Sequence, residues 1–546
     1  MTDSELRHRR SPEPIEGAKT ATYHHQRPKR KKKKHLINVA PLDTPLHRRL
    51  ETLSVMWHTV SIPSFCCLFL YILWLGWLSW LLIVIPYFIW FYGFDLHTPT
   101  NGKVVYRVRA AMKNLIIWKW FVDYYPIRVH KTCELEPTFT TEIVEEITPD
   151  DEEDLISENA RTTLDKFFKF IGLRKRLNDA ETSSPSPPLE DDDDTKSTDS
   201  KLSSTVQKVR KVGGGPRYIF CYHPHGVISM GVMGLFATNA LRNQPFKPPA
   251  KFLQPFFHDP SKEKELFPGI GYVFPLTLTT QFTIPIYRDY LLSLGLTSAS
   301  GKNIKSVINN GDNSVCLVIG GAQESLLNDM VGDNMRVGAG YKGPESDDED
   351  VKETKPKRQI KLVLQKRKGF VKIAIELGNV SLVPTFAFGE ADIYRLAKPK
   401  EGSLFHSFQL GLKKLTSFTL PFFSARGVFI YDFGFLPFRT PINICTGRPI
   451  YVPPGLVSKK REEDSTEPKK DDAKSETSSD KKSGSGSDSR FSIFKAKGKP
   501  KKRSRPHIDQ EVLDHYHGLY IEELKKVYEE NKHLYGYGDV ELVIVE

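Results

Sequence analysis

The chain has 546 residues, 39% of them apolar, with 78 basic and 66 acidic side chains and a formal charge of +12. That length admits two or three ordinary domains, but long polar tracts remove a large share of it from any core, so one catalytic domain with insertions fits better. The six cysteines form no Cys-x-x-Cys pair and no regular framework, which points to a reducing, cytosol-facing environment, and the basic excess comes without any stacking or groove-reading motif, which argues against a nucleic-acid role.

Residues 1–51 read as a disordered basic tail whose run at 27–34 is either solvated or in contact with anionic lipid head groups. Residues 52–94 contain no Asp, Glu, Lys or Arg, whereas one spanning helix needs only ~20 apolar residues. Pro63, Gly76 and Pro86 interrupt this run, and Trp74, Trp77, Trp80, Trp90 and Tyr92 supply interfacial aromatics. Arg48 and Arg49 precede it, and Lys103, Arg107, Arg109 and Lys113 follow. Basic flanks on both sides place both ends in the cytosol and favour a membrane-embedded hairpin over a single crossing. Residues 95–133 follow as an amphipathic interfacial segment, within which the stretch from 114 reads as a helix lying at the bilayer surface and ended before Pro126. Residues 134–215 turn polar, with acidic runs at 150–154 and 190–194, and read as a largely disordered insertion containing a short basic helix at 164–176.

Ordered sequence resumes at residues 216–456, the expected catalytic domain. Apolar runs at 217–222, 314–319 and 380–386 read as strands, with a helical pattern at 369–377 between them. This alternation predicts an α/β fold, a mostly parallel sheet flanked by helices, with chemistry at the carboxyl ends of the strands. Polar insertions are expected at 344–358 and 457–506, and residues 507–546 form a C-terminal helix and tail, the helix covering 515–531 with Leu519, Leu524, Val527 and Tyr528 near helical spacing.

The strand ends deliver His223-Pro224-His225-Gly226, Gly320-Gly321-Ala322-Gln323-Glu324 and Phe388-Gly389-Glu390. Histidine is the side chain best suited to accept a proton near neutral pH, Pro224 fixes the local backbone, and Gly226 permits a sharp turn or close approach of substrate. Two bland readings compete: loop histidines at the surface, and a His-x-His metal site, which lacks a third ligand cluster. A base needs an orienting partner. Acyltransferases of phospholipid synthesis supply one in a His-x-x-x-x-Asp motif, yet no histidine here has Asp five residues on. Glu324, after the Gly320-Gly321 turn, is then the first candidate and Glu390 the second. Arg288, Arg367, Lys368 and Lys372 are the basic residues suited to the phosphates of a nucleotide-bearing substrate. No Gly-x-Ser-x-Gly elbow occurs, which counts against a serine acyl-enzyme and for direct transfer.

Further pieces are Asp123-Tyr124-Tyr125-Pro126, Phe267-Pro268-Gly269-Ile270, Pro285-x-x-Arg288-Asp289-Tyr290, Arg367-Lys368-Gly369-Phe370, Leu382-Val383-Pro384 and Gly447-Arg448-Pro449-Ile450. In this order, with the strand-end motifs, the chain resembles the diacylglycerol O-acyltransferase type 2 family, and looks like a fungal-style member with insertions, related to the glycerolipid acyltransferases. The resemblance implies acyl transfer from acyl-CoA, a co-substrate rather than a cofactor, to diacylglycerol at the endoplasmic reticulum and lipid droplets, on a cytosol-facing domain with no metal. It implies that His225 is the catalytic base, with Glu324 nearby and His223 in support. The implied partners are acyl-CoA, diacylglycerol and membrane lipid; a homo-oligomer stays open. Asn239 stands where many members have Glu, an added stretch separates it from Phe267, and residues 298–302 replace a more usual Val-Ser-Arg-Asp run. These departures bear on the acceptor, since relatives use monoacylglycerol or long-chain alcohols. A reading from another class is a catalytically silent membrane scaffold.

Overall fold

A stretch without charge cannot offer water its side chains, and residues 52–94 accordingly form a helical hairpin. The computed structural model describes residues 40–41, 43–147, 206–260, 263–325, 327–328, 330, 358–396, 423–429, 434–458 and 507–545. The basic run at 27–34, both acidic runs, the helix expected at 164–176 and most of the insertions at 344–358 and 457–506 lie outside these residues.

Helix α1 (Leu46–Trp74) is 29 residues long, Gly76 turns the chain at φ +91°, and a second limb of helical turns runs over Trp77–Thr100. Both limbs are long and apolar enough to cross a membrane. Toward the tip the apolar side chains are exposed, Trp74 at 79% and Trp77 at 76%, whereas near the start of α1 Val55 is fully buried and Trp57 and Phe65 pack edgewise or tilted on Tyr290. The tip suits lipid, and the base belongs to the protein core.

Helix α2 (Ile116–Tyr124) corrects one expectation. The segment predicted to lie on the bilayer surface buries Trp118, Phe121, Val122 and Tyr124, and it packs along α1 with Phe121 edge-on to His58 at 5.5 Å. Positions 118, 121 and 122 share one helical face, and burying each of the large rings stabilises by roughly 1.5–3 kcal/mol. Its amphipathicity therefore faces α1. The polar stretch expected as an insertion from 134 is also ordered at both ends: after β1 (Arg128–Lys131), strands β2 (Phe139–Ile147) and β3 (Val206–Gly213) pair antiparallel.

The core is an eight-stranded sheet. Its further members are β4 (Arg217–His223), β5 (Val273–Thr277), β6 (Thr297–Ser298) and β7 (Ser314–Val318). Strand β8 (Arg358–Val363) lies outside it, followed by β9 (Val380–Phe388), β10 (Asn443–Thr446) and β11 (Ile450–Val452). The order is β1-β10-β9-β4-β7-β5-β6, with β11 also on β9, and pairing is parallel except where β9 meets β10 and β11. Every residue of β9 is buried, although Pro384 in its middle has no N–H to give. The gap is absorbed by register: β11 pairs with residues 380–382 and β10 with 385–388, so Pro384 faces the turn between them, where its carbonyl accepts the Gly447 N–H at 2.8 Å.

Helices α3 (Tyr287–Ser293), α4 (Gly301–Ile308), α5 (Gly321–Ser325), α6 (Gly369–Leu377) and α7 (Gln510–Asn531) complete the layers. In α7 the inward stripe is Tyr520, Leu524, Val527 and Tyr528; Leu519, expected on it, is exposed. A last strand, β12 (Val540–Val545), pairs parallel with β8.

Candidate active site

Strands β9, β4 and β7 are adjacent and parallel, so their carboxyl ends lie side by side. Each end carries one of the three motifs singled out in the sequence, and the structure brings His223, His225, Glu324 and Glu390 together.

His225 is half-buried, and its Nδ1 lies 2.9 Å from the Gly226 carbonyl. A carbonyl only accepts, so Nδ1 carries the proton and the lone pair is on Nε2, which bonds to no described residue. Burial holds the ring below its usual 6.5, opposed by the Gly226 bond, so it is neutral at pH 7 and able to accept a proton. Gly226 makes the turn at φ +59°, where a Cβ would come within 3.2 Å of the Glu390 carbonyl.

Glu324 is fully buried at the start of α5. One oxygen accepts the main-chain N–H of His225 at 2.6 Å and the other that of Val363 in β8 at 3.0 Å. The acid thus reaches the histidine through its backbone, and the ring is oriented by Gly226 instead. Burial pushes Glu324 up to about 7, against the two N–H groups and the nearby Arg367. The Gly320-Gly321 turn is required here: a Cβ on Gly320 would lie 2.1 Å from Glu324 Oε2, and Gly321 has φ +63°.

Glu390 braces the other side. It accepts from the Tyr222 hydroxyl at 2.5 Å and from the main-chain N–H groups of Met230 and Gly231 at 2.7 and 3.0 Å, fixing the turn of helix that follows the histidines. Burial raises it to about 7 against those three donors.

His223 is wholly buried after Tyr222, with a cis peptide bond to Pro224. Its Nε2 lies 3.0 Å from the Tyr520 hydroxyl, its Nδ1 has no partner among the described residues, and burial, helped by His225, pushes the ring down to about 3. It stays neutral. Tyr520, on α7 some three hundred residues later, was not singled out in the sequence. Its place on the inward stripe of α7 was the available signal, but an aromatic there reads as packing. Among the described residues no three His, Cys, Asp or Glu side chains gather in a way that could hold a metal.

The four basic candidates separate. Arg367 is exposed and donates to Gln323 at 3.4 Å, Lys368 pairs with Asp514 at 2.5 Å, and Lys372 is exposed on α6, so these three lie on or near the rim of α5 and α6. Arg288, expected to face phosphate, is instead fully buried: it bonds the Asp95 carboxylate, the Asp95 carbonyl at 2.8 Å and the Phe282 carbonyl at 3.1 Å, and stacks over Phe91. It is a strap at the hairpin foot.

A family model described as diacylglycerol acyltransferase matches residues 71–143, 250–337 and 348–469, segments that carry Glu324 and Glu390 but not the histidines. The chain is 35% identical to diacylglycerol O-acyltransferase 1 of Saccharomyces cerevisiae over 94% of its own length and 90% of the relative's. It is 31% identical to diacylglycerol O-acyltransferase 2A of Umbelopsis ramanniana, covering 76% and 80%, and 27% identical to 2-acylglycerol O-acyltransferase 1 of Bos taurus, covering 93% and 99%. The expected family is met, while the type 2 label is not what the 35% relatives bear: their names carry the numeral 1. No solved structure matches the chain.

Proposed function

Because the chain belongs to the diacylglycerol acyltransferase family, we propose that it makes triacylglycerol by direct transfer of an acyl group from acyl-CoA to diacylglycerol, with His225 as the general base. The single observation that carries this is the ring of His225, pinned through Nδ1 to Gly226 and presenting Nε2 with its lone pair at the meeting of three strand ends. Nε2 takes the acceptor hydroxyl proton as that oxygen attacks the thioester carbonyl; the C–S bond breaks, and the proton leaves with the CoA sulfur. Glu324 and Glu390 hold the main chain on either side of the base, and His223, neutral, keeps the turn in place. Arg367, Lys368 and Lys372 are the residues toward which the CoA phosphates extend. The reading extends to a glycerolipid-acyltransferase-like fold acting on the cytosolic face of the endoplasmic reticulum and on lipid droplets, anchored by the hairpin.

His225→Ala is expected to lower triacylglycerol synthesis in microsomes by roughly 10²–10⁴-fold while the protein stays in the membrane fraction; wild-type turnover by this variant removes His225 from the role. A second reading, monoacylglycerol as acceptor, is favoured by the 2-acylglycerol relative. Competition among diacylglycerol, monoacylglycerol and a long-chain alcohol for one labelled acyl-CoA separates them, and diacylglycerol is expected to win.

A further inference from the structure

Between Asn243 and Asp259 the chain has no acidic residue, four prolines, and two lysines, Lys247 and Lys251. It lies in the added stretch ahead of Phe267. The prolines limit the backbone, and Lys251–Phe256 forms a 3-10 helix that leaves Phe252 at 77% and Phe256 at 61% exposure. Phe246 packs on Phe257 at 5.2 Å behind them, so the exposed rings stand on a backed surface. The segment is fastened to the layer that carries the hairpin: Phe257 bridges Leu115, and the His258 N–H donates to the Asn114 carbonyl at 2.7 Å, immediately ahead of α2, which packs along α1.

We infer that Phe252 and Phe256 form a second, shallow contact with an anionic lipid surface, their rings entering the acyl boundary while Lys247 and Lys251 meet the head groups. Water gains nothing from two exposed rings on a rigid loop, whereas the interface accepts aromatic and basic side chains together. A second copy of the chain suits the patch poorly, because pairing like with like sets Lys247 and Lys251 of the two copies against each other, with no acid between Asn243 and Asp259 to offset them. The contact holds the catalytic domain against the bilayer at a point separate from the hairpin, and it rests on the reading of the hairpin as the anchor.

The test reconstitutes the full chain into phosphatidylcholine vesicles, with and without phosphatidylserine, doped with a photoreactive phospholipid, and maps the cross-linked peptides by mass spectrometry. Peptides from residues 66–94 serve as the internal control. The 246–257 peptide is expected to capture lipid. Capture should be lost in Phe252→Glu/Phe256→Glu, and in Lys247→Glu/Lys251→Glu it should fall roughly tenfold or more in the phosphatidylserine vesicles. Both variants change exposed side chains and should keep wild-type acyl transfer in detergent micelles. A labelled hairpin with an unlabelled 246–257 peptide overturns this contact alone; no label on either overturns the anchor as well. Capture of another protein chain in place of lipid, or capture unchanged in the glutamate variants, also overturns it.

Discussion

Two clusters of buried carboxylates in this molecule are held in opposite ways. At the hairpin foot Asp95 sits between Arg107 and Arg288, and Arg107 reaches on to Asp289 at 2.7 Å, so charge meets charge. At the strand ends Glu324 and Glu390 are as deeply buried, yet their bonds come from neutral N–H and O–H groups. An ion pair taken out of water is strong against separation and intolerant of losing one member. A carboxylate among neutral dipoles has no opposite charge to keep it ionised, and burial has brought both strand-end acids to about 7. The foot is fixed by charge; the strand ends are held by neutral dipoles.

The contrast breaks most sharply at Arg288. Arg288→Ala leaves the buried Asp95 with Arg107 alone and empties a fully buried site; it is expected to cost about 3 kcal/mol of stability, read as a lowered unfolding temperature in detergent, whereas Arg367→Ala on the rim should cost less than about 1 kcal/mol. Next comes Gly320→Ala. The added methyl meets the oxygen that holds the Val363 N–H and pushes the Glu324 carboxylate off its two N–H donors, that of His225 included, at a cost of about 1–3 kcal/mol; steady-state assays should show this in kcat, with KM for acyl-CoA little changed. The third effect is on pH. Both glutamates have folded values near 7 against a usual 4.5, so folding takes up protons between those limits. Stability is therefore present below 4.5 and declines as pH rises through 7; thermal scans across that window should slope downward, less steeply in Glu390→Gln. The smallest change is Tyr520→Phe, which takes the hydroxyl from His223 and should cost about 0.5–1.5 kcal/mol, seen as a modest fall in kcat with acyl-CoA binding retained.

The strand ends were legible in sequence because local signals coincide there: an apolar run followed within a few residues by glycine and a chemically active side chain. Helix α6 matches its expected bounds of 369–377 for the same reason, a clear helical period between strands. What was not legible depends on contacts distant in sequence. Arg288 and Lys368 are both exposed-looking cations in a sequence, and only the approach of Asp95, 193 positions earlier, buries one of them. The amphipathic period of α2 was plain, but a period does not say whether lipid or α1 covers the apolar face. Glu324 does lie beside His225, but its grip on the main chain rather than the ring is a matter of side-chain geometry that motifs do not encode.

One pairing sets the order of events in the cell. Strand β12 lies parallel to β8 over 540–545 and 358–363, and the last residue of β8 supplies an N–H that holds Glu324. Until residues 540–545 have been synthesised, that edge is open. The hairpin is finished some four hundred residues sooner, an interval on the order of tens of seconds at about 5–20 residues per second. Both apolar limbs of the hairpin are thus complete well before the β8–β12 edge that holds Glu324 can close.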